Sequence, residues 1–268
     1  MHFLYGMKLI SLNTWDGKAF APLMEFVKQH SESTDIFSLQ EVLDSHLDVV
    51  ESRGARINLL AEMTKALHAF DYYFEPEGYG LDETGPIALD IASGQAIFFK
   101  KSTIKPIREG AIFVYKNRHR LELYEKLEDL GCNFQYFCFE AEGKKFTLLN
   151  LHGIPYPGDK LDNRDRLSQS KKILEFLARE SCAKILCGDF NLMPETKSVK
   201  MIEDADMINL IKKFKIGCTR SRLSPFYGNG DFQKFADYMF VSPDVNILSF
   251  DVPDLEVSDH LPMVLEFS

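Results

Sequence analysis

No stretch of this chain approaches the roughly 18 consecutive apolar residues that a membrane-spanning helix needs, and its N-terminus shows no basic leader ahead of a long apolar run. Membrane insertion and secretion are therefore not expected, and the expected compartment is the cytosol. No Cys-x-x-Cys pair occurs either. The five cysteines (Cys132, Cys138, Cys182, Cys187, Cys218) are odd in number and irregularly spaced, which argues against a zinc knuckle or redox pair and for buried, reduced thiols. Positive charge is also short. Against 40 Asp and Glu stand 31 Lys and Arg, a net charge of −9, so the surface as a whole does not attract polyanions, and indiscriminate nucleic-acid binding is disfavoured. A metal centre would add positive charge that a residue count misses. Internal repeats, low-complexity tracts and Pro/Gly/Ser linkers are missing too.

What the chain has is apolar mass. Hydrophobic residues make up 45%, with 22 Phe and 10 Tyr, which excludes disorder and supplies a large core. With no linker to divide it, residues 1–268 are expected to form one domain, residues 1–6 being an N-terminal extension without fixed structure.

Short apolar runs predict strands at Met7–Leu12, Asp35–Leu39, Gln95–Phe99, Ala111–Tyr115, Asn133–Glu140, Lys145–Leu151, Lys184–Cys187, Asp237–Val241, Asn246–Phe250 and Pro262–Phe267. Glu142-Gly143-Lys144 reads as a hairpin turn. Amphipathic spacing predicts helices at Pro22–His30, Ala55–Ala69, Arg164–Arg179 and Met201–Phe214, and the stretch from Glu75 to Ser93, rich in glycine and acids, reads as a long irregular loop.

Four of the strands end in polar residues: Asn13; Gln40 and Glu41; Asn150 and His152; Asp189 and Asn191. Sheets bring strand ends together, so these groups are expected to converge. In Gly188-Asp189-Phe190-Asn191 an extended backbone puts Asp189 and Asn191 on one side, a carboxylate beside an amide, a pair suited to orienting a water or a metal while donating to a phosphoryl oxygen; the bland alternative is a turn. Asp259-His260, before the last strand, can act near neutral pH or be a solvated pair. Asp237 either starts a strand or fixes a histidine tautomer. Glu41 is a polar strand end or a hard oxygen ligand for Mg²⁺ or Mn²⁺, and His152 is a turn histidine or a donor.

Taken in order, LNTW (12–15), LQEV (39–42), NLHG (150–153), GDFN (188–191), ADYMF (236–240) and SDHLP (258–262) resemble the endonuclease/exonuclease/phosphatase superfamily, which has the deoxyribonuclease-I-like fold. The resemblance implies an α+β, four-layer α/β/β/α sandwich of two mixed β-sheets flanked by helices. It implies that Glu41, with Asn13 and Asp259, holds Mg²⁺ or Mn²⁺; that Asp189 aligns or deprotonates the attacking water; that Asn191 and His152 donate to phosphate oxygens; and that His260, oriented by Asp237, stabilises the transition state. The second acid that pairs with the histidine matching His152 in several members is not evident: Gln95 stands near its place, and Asp90 is another candidate.

Family membership does not name a substrate. The inositol 5-phosphatase signatures are missing, as are the signal peptide and apolar hairpin of a secreted sphingomyelinase. A nuclease or other phosphodiesterase acting on nucleic acid as a monomer is the leading expectation, with Arg164, Arg220 and Tyr227 as candidate substrate contacts; Arg166, Arg222 and the aromatics Phe226, Phe232 and Phe235 lie nearby in sequence. A phosphatase or phosphodiesterase on a small phosphorylated metabolite is the alternative, for which the acidic stretch Glu75–Asp90 speaks. An inactive interaction module on the same scaffold is the third.

Overall fold

The computed structural model describes residues 6–268 apart from 48–49, 83–84, 123 and 231; the expected N-terminal extension falls almost wholly outside the described residues. Among the described residues fifteen strands and five α-helices follow one another: β1 (Met7–Asn13), α1 (Phe20–His30), β2 (Ile36–Asp44), α2 (Leu59–Ala66), β3 (Phe70–Tyr79), β4 (Leu81–Asp82), β5 (Gly85–Pro86), β6 (Ala92–Lys100), β7 (Lys105–Tyr115) and β8 (His119–Arg120); then β9 (Cys132–Ala141), β10 (Lys144–His152), α3 (Arg164–Leu177), β11 (Ala183–Asp189), α4 (Lys197–Glu203), β12 (Ile208–Asn209), α5 (Leu210–Lys213), β13 (Asp237–Val241), β14 (Ile247–Asp251) and β15 (Met263–Phe267).

They build two mixed sheets, ordered β14-β15-β1-β2-β6-β3-β8 and β12-β13-β11-β10-β9-β7, with β4 and β5 as a separate pair. Each large sheet holds a parallel pair near its centre, β1 with β2 and β10 with β11, among mostly antiparallel neighbours. Alternation along the strands explains the layering. In β1 and β2, Leu9 and Ile36 face the other sheet and pack with Phe137, Phe139 and Phe146. Their neighbours Ile10 and Phe37 face outward onto Leu23, Phe26 and Val27 of α1 and Leu59 and Met63 of α2. The second sheet is covered by α3 and α4 through Ile173, Phe176, Val199 and Ile202. The result is an α+β sandwich, helices outside two facing sheets. No helix among the described residues is long and apolar enough to cross a membrane.

Towards the site end the layer between the sheets becomes polar. Asn150 accepts from Gln40 Nε2 (2.6 Å) and donates to Gln135 Oε1 (2.9 Å) and the Leu39 carbonyl (3.0 Å), so a strand-tip amide ties β10 of one sheet to β2 of the other. Such a network fixes how the sheets face each other, because each member would be costly to bury unpaired.

Three stretches differ from the sequence expectation. The long loop expected from Glu75 to Ser93 is largely strand: β3 continues through Tyr79 and pairs with β6, stepping its register at Pro76/Gly78. The step explains the glycine and proline that suggested a loop, and Gly94 must be glycine because a Cβ there would sit 2.1 Å from the Glu75 carbonyl oxygen. The helix expected over Met201–Phe214 is two helices separated by β12; α4 starts earlier, capped by Thr196, and α5 is capped by Asn209. The helix expected over Ala55–Ala69 is only Leu59–Ala66. The hairpin at Glu142-Gly143 forms with both residues at positive φ, 50° and 78°.

Candidate active site

The two parallel pairs aim their C-terminal ends at one place. In the first sheet Asn13 closes β1 level with Gln40 of β2. Glu41 follows in a left-handed conformation, φ 52°, where the β2–β6 register slips between Leu39 and Val42; the bulge turns the carboxylate to the sheet edge, and strained backbone of this kind concentrates at functional sites. In the second sheet His152 is paired with Asp189, and Asp189 with Asp237, on three neighbouring strands. Gly188, at φ 129°, lets β11 approach β10 so closely that a Cβ would lie 2.1 Å from the Leu151 carbonyl oxygen.

Across the gap Asn13 Nδ2 donates to Glu41 Oε1 at 2.8 Å and to Asp189 Oδ2 at 3.2 Å, joining the sheets through one amide. His260 Nδ1 lies 2.9 and 2.8 Å from the two carboxylate oxygens of Asp237, and its Nε2 is 3.7 Å from Asp189 Oδ2. Asn191, also left-handed at φ 51°, donates its backbone N–H to Asp189 Oδ1 (2.8 Å) and its Nδ2 to the Gly153 carbonyl (3.2 Å). Asn13, Glu41, His152, Asp189, Asn191, Asp237, Asp259 and His260 thus meet at one end of the sandwich. Glu41, His152, Asp189, Asn191, Asp259 and His260 line a cavity of about 330 Å³ that Trp15, Tyr156 and Phe226 wall with aromatic rings.

The partner of His152 is Glu77. Its Oε2 lies 2.8 Å from His152 Nδ1, and its carboxylate is buried to 1% exposure. Neither sequence candidate fills this role. Asp90 pairs with Arg120 at the surface (2.5 Å), and Gln95 acts one link further back, donating Nε2 to Glu77 Oε1 at 3.3 Å. Glu77 was hidden because it sits in a segment that reads as a loop, Glu75-Pro76-Glu77-Gly78; the signal available was an acid three residues after a run of β-forming aromatics, Phe70 to Phe74. Lys160, only 8% exposed and left-handed at φ 56°, is a second site residue that its sequence context did not mark. Burial lowers its ammonium pKa, opposed by the nearby charges of Asp189, Asp237 and Asp259.

Two expected substrate contacts lie elsewhere. Arg164 is exposed on the first turn of α3 and lines no part of the cavity. Tyr227 packs edge-on against Phe232 and faces a separate hollow beside Arg222; the ring in the cavity is its neighbour Phe226. Arg220 does line the cavity, its guanidinium 2.6 Å from both Asp259 Oδ2 and His260 Nε2.

The electrostatics are those of crowded acids. Burial raises the Glu41 carboxyl pKa, with His152 opposing. Burial also works against Asp189, yet His260, Lys160, His152 and Arg220 outweigh it and hold Asp189 below the usual carboxylate value, an anion at neutral pH. Burial disfavours a charged His152, but Glu77, Glu41 and Asp189 push it up to about 10. For His260, burial and Arg220 lower the pKa while Asp237, Asp259 and Asp189 raise it, and the carboxylates prevail. One donor atom each from Glu41, His152 and Asp189 lie within 4.8 Å of one another, and Asp189, Asp237 and His260 form a second such group. Carboxylate oxygens of Glu41 and Asp189 beside an imidazole nitrogen make a donor set that fits a divalent cation.

The whole chain superposes on solved structures of low sequence identity. A mannosyl-6-phosphatase of Bacteroides thetaiotaomicron gives a TM-score of 0.69 at 17% identity, covering 98% of this chain and 99% of that one. The human Nocturnin catalytic domain with bound sulfate anion gives 0.68 at 18%, covering 98% and 94%, and an endonuclease/exonuclease/phosphatase family protein of Leptotrichia buccalis gives 0.71 at 15%, covering 98% and 99%. Comparison with curated proteins gives no match. The family model described as Endonuclease/Exonuclease/phosphatase family matches residues 10–260, nearly the whole chain and every residue of the site, and the chain belongs to that family.

Proposed function

We propose that this protein is a divalent-metal-dependent hydrolase of phosphate esters that acts on a small phosphorylated substrate. The observation that carries the chemistry is the convergence of Glu41, Asp189, Asp237 and Asp259 with His152 and His260 at one buried sheet end. Glu41, with Asn13 and Asp189 or Asp259 beside it, would hold a cation such as Mg²⁺ or Mn²⁺. A cation held there would supply polarisation of the phosphoryl oxygen and offset the charge that develops on it.

The chain's own groups divide the remaining work. Asp189, kept anionic, accepts a hydrogen bond from the attacking water and aligns it. His152, positively charged and steered by Glu77, donates Nε2–H to a phosphate oxygen. Asn191 offers its amide from the end of the neighbouring strand. His260 donates Nδ1–H to Asp237 and, in its charged form, donates Nε2–H to the reacting phosphate.

The choice of a small substrate rests on charge. A nucleic-acid groove needs unpaired Lys and Arg along the backbone path. Of the cations that stand near the motifs in sequence, these are already matched: Lys116 with Asp129 (2.9 Å), Arg118 with Glu75, Arg120 with Asp90, Arg222 with Asp254 (2.6 Å), and buried Arg166 with Asp159 (2.9 Å). A similar fold in a protein named as a mannosyl-6-phosphatase supports the reading without deciding it.

The test is phosphate release from a panel of small phosphate monoesters and diesters, alongside single- and double-stranded oligonucleotides, with Mg²⁺ or Mn²⁺ and with EDTA. Hydrolysis is expected to need the metal and to fall on the order of 10³-fold in Asp189→Asn and in His260→Gln. Inactivity on every ester with either metal overturns the proposal. Oligonucleotides turned over faster than every small ester would overturn the substrate class alone.

A further inference from the structure

Arg220 holds an unusual place. It lies in Thr219-Arg220-Ser221-Arg222, on a segment clamped to the strand-end dipeptide: Arg220 bridges His260 as an isolated antiparallel pair, the Ser221 N–H donates to the Asp259 carbonyl (2.9 Å), and the Leu261 N–H donates to the Thr219 carbonyl (2.8 Å). This backbone anchoring fixes where the side chain starts. The side chain, about 10% exposed, then turns into the cavity. Nη2 donates to Asp259 Oδ2 at 2.6 Å and to Ser224 Oγ at 3.4 Å, and Nη1 points at His260 Nε2 at 2.6 Å.

Two consequences follow from donor and acceptor arithmetic. A guanidinium has donors only, so Nη1 can bond to His260 Nε2 only where that nitrogen offers a lone pair, the neutral tautomer in which Nδ1–H donates to Asp237. Arg220 therefore occupies the one ring atom of His260 that could meet a phosphate oxygen. It also occupies one oxygen of Asp259, a carboxylate expected to serve the ion. A permanently charged side chain thus stands where the acids need a cation. Removing one partner of a buried ion pair leaves the other uncompensated, a large cost unless something replaces it.

We propose, resting on the metal-dependent reading above, that Arg220 is a resident counter-cation of the metal-free site. It holds Asp259 and caps His260 until a divalent ion takes over the carboxylate, and the freed guanidinium then becomes the arm that binds the phosphate dianion. The arm stays anchored through Thr219 and Ser221 in both arrangements, so only side-chain torsions change. Arginine suits both tasks, because its planar fork matches carboxylate and phosphate alike. A lysine would keep the charge and lose the two-pronged grip.

The proposal makes metal affinity and arginine competitors, which binding measurements read without turnover. Mn²⁺ binding, followed by calorimetry and by the loss of free Mn²⁺ signal in electron paramagnetic resonance, is compared for the full chain, Arg220→Gln, Arg220→Ala and Arg220→Lys. Arg220→Gln and Arg220→Ala are expected to bind Mn²⁺ on the order of 10-fold more tightly, with Arg220→Lys between them and the unsubstituted chain. Their melting temperatures in EDTA should fall and be restored by Mn²⁺, since the ion supplies the missing charge. Affinity for inorganic phosphate in the Mn²⁺-loaded protein should fall on the order of 10-fold in the same two variants. Equal or weaker Mn²⁺ binding by the variants overturns the proposal, and so does a variant as destabilised with Mn²⁺ as without it. A chain that binds no Mn²⁺ in any form overturns the metal-dependent reading itself.

Discussion

At the scale of single residues, the site is a set of strong acids and bases whose partners decide their roles. Glu77 is the clearest case. Its buried carboxylate reaches His152 with Oε2, while Oε1 receives Gln95 Nε2 at 3.3 Å and the Asn133 N–H at 3.4 Å. The acid is held from behind, so the imidazole it faces has one orientation, with Nε2 3.5 Å from Glu41 Oε1. Glu77 lies at the cavity wall with its carboxylate turned to His152, and its effect passes through that ring. In Glu77→Gln the side chain keeps its size and place but can no longer act as an anionic acceptor. We expect kcat to fall about 10- to 100-fold with KM little changed, because ring orientation and charge matter most to the developing transition state; Glu77→Asp should recover part of the loss. Equal losses in Glu77→Gln and Glu77→Asp, tracking a lowered melting temperature, would mark Glu77 as structural only.

At the scale of elements, the sequence carried the fold in proportion to how local each signal is. Every strand that ends in the site was legible, because β1, β2, β10 and β11 are short apolar runs closed by polar residues, and a parallel pair buried on both faces has no alternative to such a run. The ends of the pattern misled where one feature had two physical causes. Gly78 and Pro76 mark a register step within β3, and the same residues mark loops elsewhere. β12, two residues long, splits a helical pattern because Ile208 and Asn209 pair with Val241 and Phe240 of β13, a partner some thirty positions away that no local window includes. Glu77 was lost with β3, and Arg164 and Tyr227 were placed by sequence distance from the motifs, whereas the direction of a side chain decides what it touches. Gly188 shows how strictly an element can depend on one residue. Its φ of 129° and the 2.1 Å that a Cβ would leave to the Leu151 oxygen both forbid a side chain, and it directly precedes Asp189. Gly188→Ala should destabilise the protein by about 3 kcal/mol and shift the β10–β11 pairing that aligns His152 with Asp189. Gly143→Ala, in the open β9–β10 turn with nothing within 4 Å of a built Cβ, should cost about 1 kcal/mol and leave hydrolysis intact. Urea unfolding of the two variants checks this, and similar losses at both positions would mean that close packing at Gly188 does not matter.

At the scale of the whole molecule, charge separates the substrate classes that the family shares. The chain carries −9 overall, and of its candidate phosphate-binding arginines Arg166, Arg222 and the cavity-facing Arg220 are each paired with a carboxylate, while Arg164 is exposed away from the cavity. A phosphate ester therefore approaches a body of its own sign and meets attraction only within the cavity, where Arg220, His152 and the expected ion are screened little by salt. Long-range repulsion, by contrast, is screened strongly: the Debye length shrinks from roughly 30 Å at 0.01 M salt to about 8 Å at 0.15 M. For a small dianionic ester, kcat/KM should thus rise modestly, about 2-fold, across that range of KCl, with kcat constant. A protein that holds nucleic acid by 6–10 phosphate contacts behaves in the opposite way, losing roughly 10³- to 10⁵-fold in affinity over a few-fold increase in salt through counterion release. The sign of the slope of log(kcat/KM) against log[KCl], measured on a monoester and on an oligonucleotide at fixed Mn²⁺, accordingly tests the substrate class independently of any variant. A steep negative slope on the oligonucleotide, together with faster turnover than the monoester, would mean that the paired arginines release their carboxylates to a polyanion and that a nuclease, rather than a small-ester hydrolase, is the right description of this surface.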